Sequence, residues 1–168
     1  MSKKSIFQLI VACAMLLLAA SYLLSFVRNQ RSQEPTAYFY DLSERKLFVA
    51  AQSAVPPIRG LNDDQADAMR AVVIAASGKS GDKSTHKIAY LEKYSSDFKQ
   101  DIQAARKAEA EGKEMVRRIG RSEAQSHTFV RRLTDSAWYP LSSPEGEKIV
   151  SEWNVAGPDG NFPEVCVP

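Results

Sequence analysis

The chain is poor in the residues from which disulfide frameworks and metal sites are built. Its 168 residues include only two cysteines, Cys13 and Cys166, and two histidines, His86 and His127. Cys13 lies in an apolar run, which leaves Cys166 without a partner for a disulfide inside one domain. Neither histidine has a cysteine or another histidine at ligand spacing, so no structural zinc site is expected. We expect Cys166 to be a buried or idle thiol, with a cross-link between two chains as the alternative.

The sequence also lacks the basic excess that is typical of nucleic-acid-binding proteins. Without Lys3 and Lys4 in the N-terminal tail, the 22 basic residues fall to 20, which equals the 20 acidic residues. An electroneutral domain does not offer the positive surface that holds a phosphate backbone, so we expect no nucleic-acid partner. The charges are unevenly spread, since residues 99–132 carry nine basic and five acidic side chains and residues 135–168 carry one and six. Such segments usually pack together or are solvated, and a polar docking surface is the alternative.

One stretch, residues 6–27, contains no charge, no proline and no glycine. As a helix that rises about 1.5 Å per residue, it is long enough to cross a hydrocarbon core of about 30 Å. We therefore predict an uncleaved transmembrane helix in the cell inner membrane, with the C-terminal domain extracytoplasmic. The predicted organisation is a cytoplasmic tail, a transmembrane helix, a tether and a small domain, over residues 1–5, 6–27, 28–37 and 38–168.

Two alternatives stay open for this segment. A cleaved signal peptide has a shorter apolar core and small residues before its cleavage site, and Leu18-Ala19-Ala20 fits that pattern poorly. Residues 10–13, which end in Cys13, resemble the lipobox that presents a cysteine for acylation. A lipoprotein usually turns polar after that cysteine, whereas this chain stays apolar to residue 27.

Beyond the tether, the pattern predicts an α+β fold, in which antiparallel β-hairpins accompany one long charged helix and one short C-terminal helix. Aromatic and β-branched residues on both sides of polar turns indicate the hairpins. Residues 69–76 fit either an amphipathic helix or a buried strand, and their β-branched centre favours the strand. The predicted strand pairs are 38–42 with 47–49, 71–75 with 87–91, and 128–133 with 137–139.

The two helices have clear start signals. Ser95 and Ser96 precede the acid Asp97, and good helix formers continue from there to Ile119, so that Gly120 is expected to end the long helix. Its apolar stripe is interrupted in the middle, which indicates a solvated helix docked mainly at its ends, with a seam for a partner helix as the alternative. Ser143 is expected to cap the short helix, with a proline at its first position.

The loop from Gly78 to Thr85 resembles a phosphate-binding loop, because glycines, a lysine and hydroxyl residues follow an apolar run. It departs from that motif at Asp82, which stands where a glycine should precede Lys83. A carboxylate at this position would repel phosphate. We therefore expect a polar hairpin loop.

No catalytic, cofactor-binding or metal-binding residues are predicted. His86 follows two hydroxyl residues and His127 precedes a predicted strand, but no oxyanion element is legible beside either histidine. Several arginines would meet anionic lipid headgroups if the domain folded back on the membrane, and a solvated or salt-bridged surface is the default expectation. They stand at positions 117, 118, 121, 131 and 132.

Five segments carry the most distinctive residues of the domain: 38–42, 47–49, 55–58, 90–94 and 143–146. In these segments the chain resembles uncharacterised bacterial proteins that have a single N-terminal membrane span and a small extracytoplasmic domain. The resemblance covers most of the chain and implies this topology, but it implies no activity.

These observations predict a membrane-anchored, non-enzymatic interaction or assembly component of the cell envelope. Its expected partners are the lipid bilayer and either an envelope protein or a second copy of the chain, with no cofactor. An exported or lipid-anchored enzyme or ligand-binding domain is the alternative. That alternative predicts a deep pocket in which His86 or His127 lies together with a carboxylate.

Overall fold

The structure is a computed structural model that describes residues 13, 15–26, 34–62, 64–113 and 120–168. The chain divides into two compact units, Met1–Pro35 and Thr36–Pro168. In the first unit, residues 15–26 form helix α1, whose large apolar side chains are exposed. No helix within the described ranges is long and apolar enough to cross a bilayer. The transmembrane helix therefore remains a prediction. Residues 6–12, 14 and 27 of the predicted span lie outside the described residues, and so do the predicted tail and residues 28–33 of the tether.

The second unit is built on one seven-stranded antiparallel sheet, and the predicted α+β class is confirmed. The strands follow the order β2-β1-β3-β4-β5-β6, and β7 pairs with β3 off this path. Their bounds are β1 Thr36–Asp41, β2 Lys46–Ala51, β3 Ala68–Ala75, β4 Lys87–Tyr94, β5 Thr128–Arg131, β6 Tyr139–Pro140 and β7 Glu164–Val165.

The three predicted strand pairs are present. Tyr38 lies opposite Val49 in the first pair, Ala71 opposite Leu91 in the second, and Val130 opposite Tyr139 in the third. The ambiguous segment is therefore a strand, as its β-branched centre indicates. The third pair is shorter than predicted. Its strands end at Arg131 and begin at Tyr139, because Arg132 and Asp135 form a hydrogen-bonded turn between them.

One face of the sheet holds the main hydrophobic cluster, in which Met69, Val73 and Leu91 are buried side by side. Tyr38 belongs to it and Tyr40 packs against it, so one face of the first hairpin contributes aromatic side chains to this cluster. Further members or neighbours of this cluster are Leu42, Ala71, Ala75, Ile88, Trp138 and Cys166.

The C-terminal segment closes this face through a strand that the sequence pattern does not reveal. β7 is only two residues long, and the turn-rich stretch before it shows no strand periodicity. The backbone N–H of Cys166 donates to the carbonyl of Val73 at 2.8 Å, which fixes the thiol in the cluster. Cys166 is 5% exposed, so the expected buried thiol is confirmed, and burial raises its pKa.

The opposite face of the first hairpin is buried as well, which the sequence analysis did not predict. Phe39 and Asp41 are both fully buried. The Asp41 carboxylate accepts hydrogen bonds from the backbone N–H groups of Glu44 at 2.9 Å and Leu61 at 2.7 Å, and from the Ser43 hydroxyl at 2.8 Å. Hydrogen bonds from Glu44 and Leu61 hold the pKa of Asp41 below its usual range, since they stabilise the charged form.

Three helices belong to the second unit in its described part: α2 Ser96–Ala110, α3 Arg121–His127 and α4 Pro144–Ser151. The predicted caps are confirmed, since the Ser95 hydroxyl accepts from the N–H of Phe98 and the Ser143 hydroxyl from that of Gly146. Both cap residues have extended backbone, as serine caps require.

The predicted extent of the long helix is wrong. α2 ends at Ala110, and Gly112 follows with φ of +66°, a left-handed conformation that terminates helices. Residues 114–119, the last part of the predicted helix, lie outside the described residues. Gly120 does not end this helix but caps the start of α3, which was not predicted.

The loop from Gly78 to Thr85 is a hairpin connection, as expected. Gly78 adopts φ of +72°, and the Asp82 carboxylate accepts from the N–H of Ser84 to start a short 3-10 turn over Lys83–Thr85. Asp82, the residue that argues against a phosphate-binding loop, therefore stabilises the turn of this hairpin connection.

Candidate binding cleft

A cleft of about 840 Å³ lies where the end of β4 continues into α2. This volume is within the usual range of ligand-binding pockets. The cleft is lined by residues from the segment before β3, from β3, β4, α2 and β5, and from the residue before β6: Pro57, Ala66, Met69, Lys93, Tyr94, Ser95, Ser96, Lys99, Gln100, Gln103, Phe129 and Trp138.

The walls of the cleft are fixed by a few local contacts. Tyr94 donates its backbone N–H to the carbonyl of Pro56 at 3.2 Å, and Lys99 donates its ammonium to the carbonyl of Pro57. These bonds hold the proline segment against the start of α2. On the other side, Lys93 is in register with Phe129 of β5. The cleft therefore depends on segments that are far apart in the sequence.

The electrostatic centre of the cleft is Lys93. Its ammonium lies 4.6 Å from the centre of the Trp138 ring, and the guanidinium of Arg131 lies 4.8 Å from the same ring. Such distances give favourable cation–π contacts. Burial lowers the pKa of Lys93, and the like charge of Arg131 adds to that effect. Among the described residues that line the cleft, there is no aspartate, glutamate or histidine.

Arg131 contacts the Trp138 ring but is not one of the lining residues. One of its terminal nitrogens donates to the carbonyl of Asp135 at 3.1 Å. Its Nε atom is buried and has no hydrogen-bond partner in the described part of the chain. The potential at Trp138 is therefore positive on account of two cations, and no carboxylate of the described residues is paired with either.

The first half of α2 gives the cleft its polar rim. Ser95 and Ser96 lie at the N-terminus of the helix, where the positive end of the helix dipole adds to the lysine charges. Gln100 and Gln103 are exposed and offer amide groups one turn further on. Asp97 accepts a hydrogen bond from the Ser96 hydroxyl at 3.3 Å and is the acid of the first turn.

The histidines lie outside the lining of the cleft. His127 has its Nδ1 atom 3.0 Å from the Ser95 hydroxyl, and its ring stacks on Phe98 with 5.0 Å between ring centres. The Nε2 atom of His86 lies 2.9 Å from the carbonyl oxygen of Ser80, and the His86 ring contacts the Tyr38 ring edge-on with 6.0 Å between ring centres. The contact between Ser95 and His127 was not predicted, because nothing in their spacing along the chain indicates it.

The Ser95–His127 pair lacks the further parts of a nucleophilic site. No carboxylate of the described residues is hydrogen-bonded to His127, and the serine hydroxyl already caps α2. A nucleophile needs a base that is itself oriented by a third group. In this arrangement the pair links the start of α2 to the end of α3. Likewise, no group of three or more potential metal ligands converges within the described residues.

A second titratable cluster lies on β3 and β4, outside the cleft. Arg70 is in register with Glu92, and it donates to the carbonyls of Gln52 at 2.7 Å and Ala54 at 3.2 Å. Burial raises the pKa of Glu92, and the charge of Arg70 and a hydrogen bond from Tyr90 partly oppose this. These groups are tied into the sheet and its neighbouring loop, so we assign them a structural role.

The arginines considered as lipid-headgroup ligands differ in their surroundings. Those at 117 and 118 lie outside the described residues, and Arg121 is exposed at the start of α3. Arg132 forms ion pairs with Asp135 at 3.1 Å and Glu145 at 2.9 Å, and also with Glu152. The default expectation of a salt-bridged surface is therefore met at Arg132.

Comparisons of the chain with protein-family models, with curated proteins and with solved structures found no match. The functional inference consequently rests on the chemistry of the cleft and on the sequence pattern.

Proposed function

We propose that this protein is a membrane-anchored, non-enzymatic interaction component of the bacterial cell envelope, and that it binds its partner in the cleft beside α2. The observation that carries the proposal is the composition of the cleft. It combines two lysines, three aromatic side chains and two amides, and its described lining has no aspartate, glutamate or histidine. Such a surface can bind and orient an anionic ligand through charge, aromatic contact and amide hydrogen bonds.

The anchoring part of the proposal is supported by the sequence. Residues 6–27 form an uncharged run of sufficient length for a membrane span, and basic residues flank it on both sides. The resemblance in five sequence segments implies the same topology, although the comparisons found no relative. We place the domain outside the inner membrane, because a short N-terminal tail is readily retained in the cytoplasm.

The proposal is tested by fractionating cells that express the full chain. We expect the intact, full-length mass in the membrane fraction after washes with high salt and alkaline carbonate, and release only by detergent. Protease added to spheroplasts should remove the domain. Recovery of the chain in the soluble fraction would contradict the anchor, and a protected domain would contradict the orientation. A mass that begins near Ser21, or lipid on Cys13, would replace the transmembrane anchor by one of the alternatives.

An exported enzyme is the second candidate, and one observation favours it: the 3.0 Å approach of Ser95 to His127. If this pair were nucleophilic, a fluorophosphonate probe would label Ser95, and Ser95→Ala would abolish the labelling. We expect no labelling of the native chain, because the pair has no orienting acid among the described residues. Labelling that disappears in Ser95→Ala would overturn the non-enzymatic proposal.

A further inference from the structure

Lys93 and Lys99 both line the cleft, but they differ in their partners. Lys99 donates to the carbonyl of Pro57 and is thereby part of the wall. Lys93 rests on Trp138 and has no carboxylate or carbonyl partner in the described part of the chain. An ammonium group carries three hydrogen-bond donors, and an aromatic face satisfies none of them as strongly as an anion does. The donors of Lys93 are therefore available to an anion that enters the cleft.

Other positive groups reinforce this position. Arg131 lies against the same indole ring, and the N-terminus of α2 opens at Ser95 and Ser96. Both raise the potential at the Lys93 ammonium, since neither is neutralised there by a carboxylate of the lining. Asp97 reduces the potential at the Ser96 rim, but it is not among the lining residues. A ligand that matches the positive charge of the cleft is therefore an anion that binds close to Trp138.

The remainder of the lining indicates which kind of anion fits. Met69, Phe129 and Trp138 offer apolar and aromatic surface beside the charge, and two glutamines offer amides of the type that pair with a peptide backbone. A planar membrane surface cannot reach a half-buried lysine inside a cleft. A nucleic acid would require a basic stripe, which a chain with 22 basic and 20 acidic residues does not provide.

We propose that the cleft binds an acidic peptide segment of a protein partner, with a carboxylate on the Lys93 ammonium and a neighbouring apolar side chain against Trp138 and Phe129. The inference rests on the proposed function and specifies the class of its ligand. In this arrangement the carboxylate receives a charge-assisted hydrogen bond, and the aromatic contact adds apolar burial at the centre of the site.

The test uses the full chain in detergent micelles with Trp153→Phe, so that Trp138 is the only remaining tryptophan. One probe is an acetylated hexapeptide amide with two glutamates around a phenylalanine, and the matched probe has glutamines in their place. We expect saturable change of the Trp138 fluorescence by the acidic peptide, with a Kd of about 10 μM to 1 mM, as befits one short segment. The glutamine peptide should bind at least about tenfold more weakly.

Variants of Lys93 separate charge from shape. Lys93→Met should reduce the affinity for the acidic peptide to that for the glutamine peptide, and Lys93→Arg should retain most of it. Lys83→Met is the matched control, because Lys83 is exposed in the 3-10 turn and does not line the cleft. Calorimetric titration of the unsubstituted chain provides the same comparison if Trp153→Phe alters the fold.

Three outcomes would overturn the inference. They are equal binding of the two peptides, binding that Lys93→Met leaves unchanged, and the absence of saturable binding up to about 5 mM peptide. Lys93-dependent binding of glucuronate without binding of the acidic peptide would assign the cleft to an acidic saccharide and would equally overturn it. These results leave the membrane fractionation unaffected, whereas a soluble or enzymatically active chain would contradict the proposed function independently of any peptide.

Discussion

Arg131 and Arg132 are neighbours at the end of β5, but Arg132 is surrounded by carboxylates whereas Arg131 lies near another cation. Arg132 meets the carboxylates of Asp135, Glu145 and Glu152, and ion pairing with Glu152 and Glu145 raises its pKa while the pKa of Glu152 is lowered. Arg131 meets Trp138, beside a second cation. A charge surrounded by opposite charges serves the fold, whereas like charges gathered without a counter-ion leave room for a ligand.

The two adjacent arginines thus separate an ion-paired region from the proposed binding region. The acidic segment 135–168 supplies all three carboxylates around Arg132, so part of the uneven charge distribution is satisfied internally. The basic charge near Lys93 is not satisfied in this way. Substitutions in the first region should therefore reduce stability, and substitutions in the second should reduce binding.

The largest expected effect concerns the helix that brings the carboxylates to Arg132. A Cβ atom at Gly146 in α4 would lie 2.1 Å from the carbonyl oxygen of Pro140, a backbone atom that cannot rotate away. We expect Gly146→Ala to lower the free energy of unfolding by about 3 kcal/mol, the upper end for overpacked sites. Urea unfolding of the full chain in detergent measures it. Gly81→Ala is the control, since a Cβ there has no neighbour within 4 Å, and equal stability of both variants would refute the close approach.

A second prediction extends the comparison to a buried anion. Asp41→Ala removes the acceptor of two backbone N–H groups and should lower the free energy of unfolding by about 2 kcal/mol at pH 7. Because the folded pKa of Asp41 is lowered, its charge stabilises the fold above the unfolded value of about 3.9, and this stabilisation is lost as the pH falls through the folded pKa.

The difference between the native chain and the Asp41→Ala variant should accordingly shrink in acid. Asp159→Ala is the matched control, because Asp159 accepts hydrogen bonds from Asn161 in an exposed turn. It should change the midpoint of urea unfolding little. A difference for Asp41→Ala that persists unchanged at low pH would show that packing, and not the carboxylate, is what the substitution removes.

A smaller effect is expected at Arg132 itself. Arg132→Met removes the shared partner of three carboxylates, and the midpoint of thermal unfolding should fall by a few degrees at low salt. The pKa of Glu152 is lowered by Arg132, so this contribution is present above the usual glutamate pKa and is lost as the pH falls through the folded value. Arg131→Met is the control and should lower the midpoint less. Scanning calorimetry measures both midpoints. A larger fall for Arg131→Met than for Arg132→Met would mean that Arg131, and not Arg132, stabilises the fold.

Local sequence signals predicted much of the sheet and the starts of α2 and α4. The aromatic residues around Tyr38, the β-branched centre at Val73 and the capping serines Ser95 and Ser143 each act within a few residues, so they can be recognised from the sequence alone. The end of α2 was missed because good helix formers continue beyond Ala110, and helix propensity does not say where a helix stops.

Features that depend on contacts between distant segments could not be predicted from the sequence. Gly120 is compatible with either end of a helix, and only the structure shows that it begins α3. The short strand at Glu164 exists because β3 offers it a partner, and the cleft exists because Pro57, Lys93 and Trp138 converge from separate parts of the chain. The lining residues form no recognisable motif along the chain, so the cleft could not be predicted from local sequence patterns.

The smallest expected effect gives the sharpest distinction between the two regions. The pKa of Lys93 is lowered by burial and by Arg131, so its charge destabilises the fold at pH 7. This penalty shrinks as the pH rises from the folded pKa towards the unfolded value of about 10.4. Lys93→Met should therefore raise the free energy of unfolding by ~0.5 kcal/mol while it weakens binding of the acidic peptide. Urea unfolding at pH 7 measures the gain, with Lys83→Met as the neutral control. A clear loss of stability would mean that Lys93 supports the fold through Trp138, and the contrast with Arg132 would then no longer separate binding from structure.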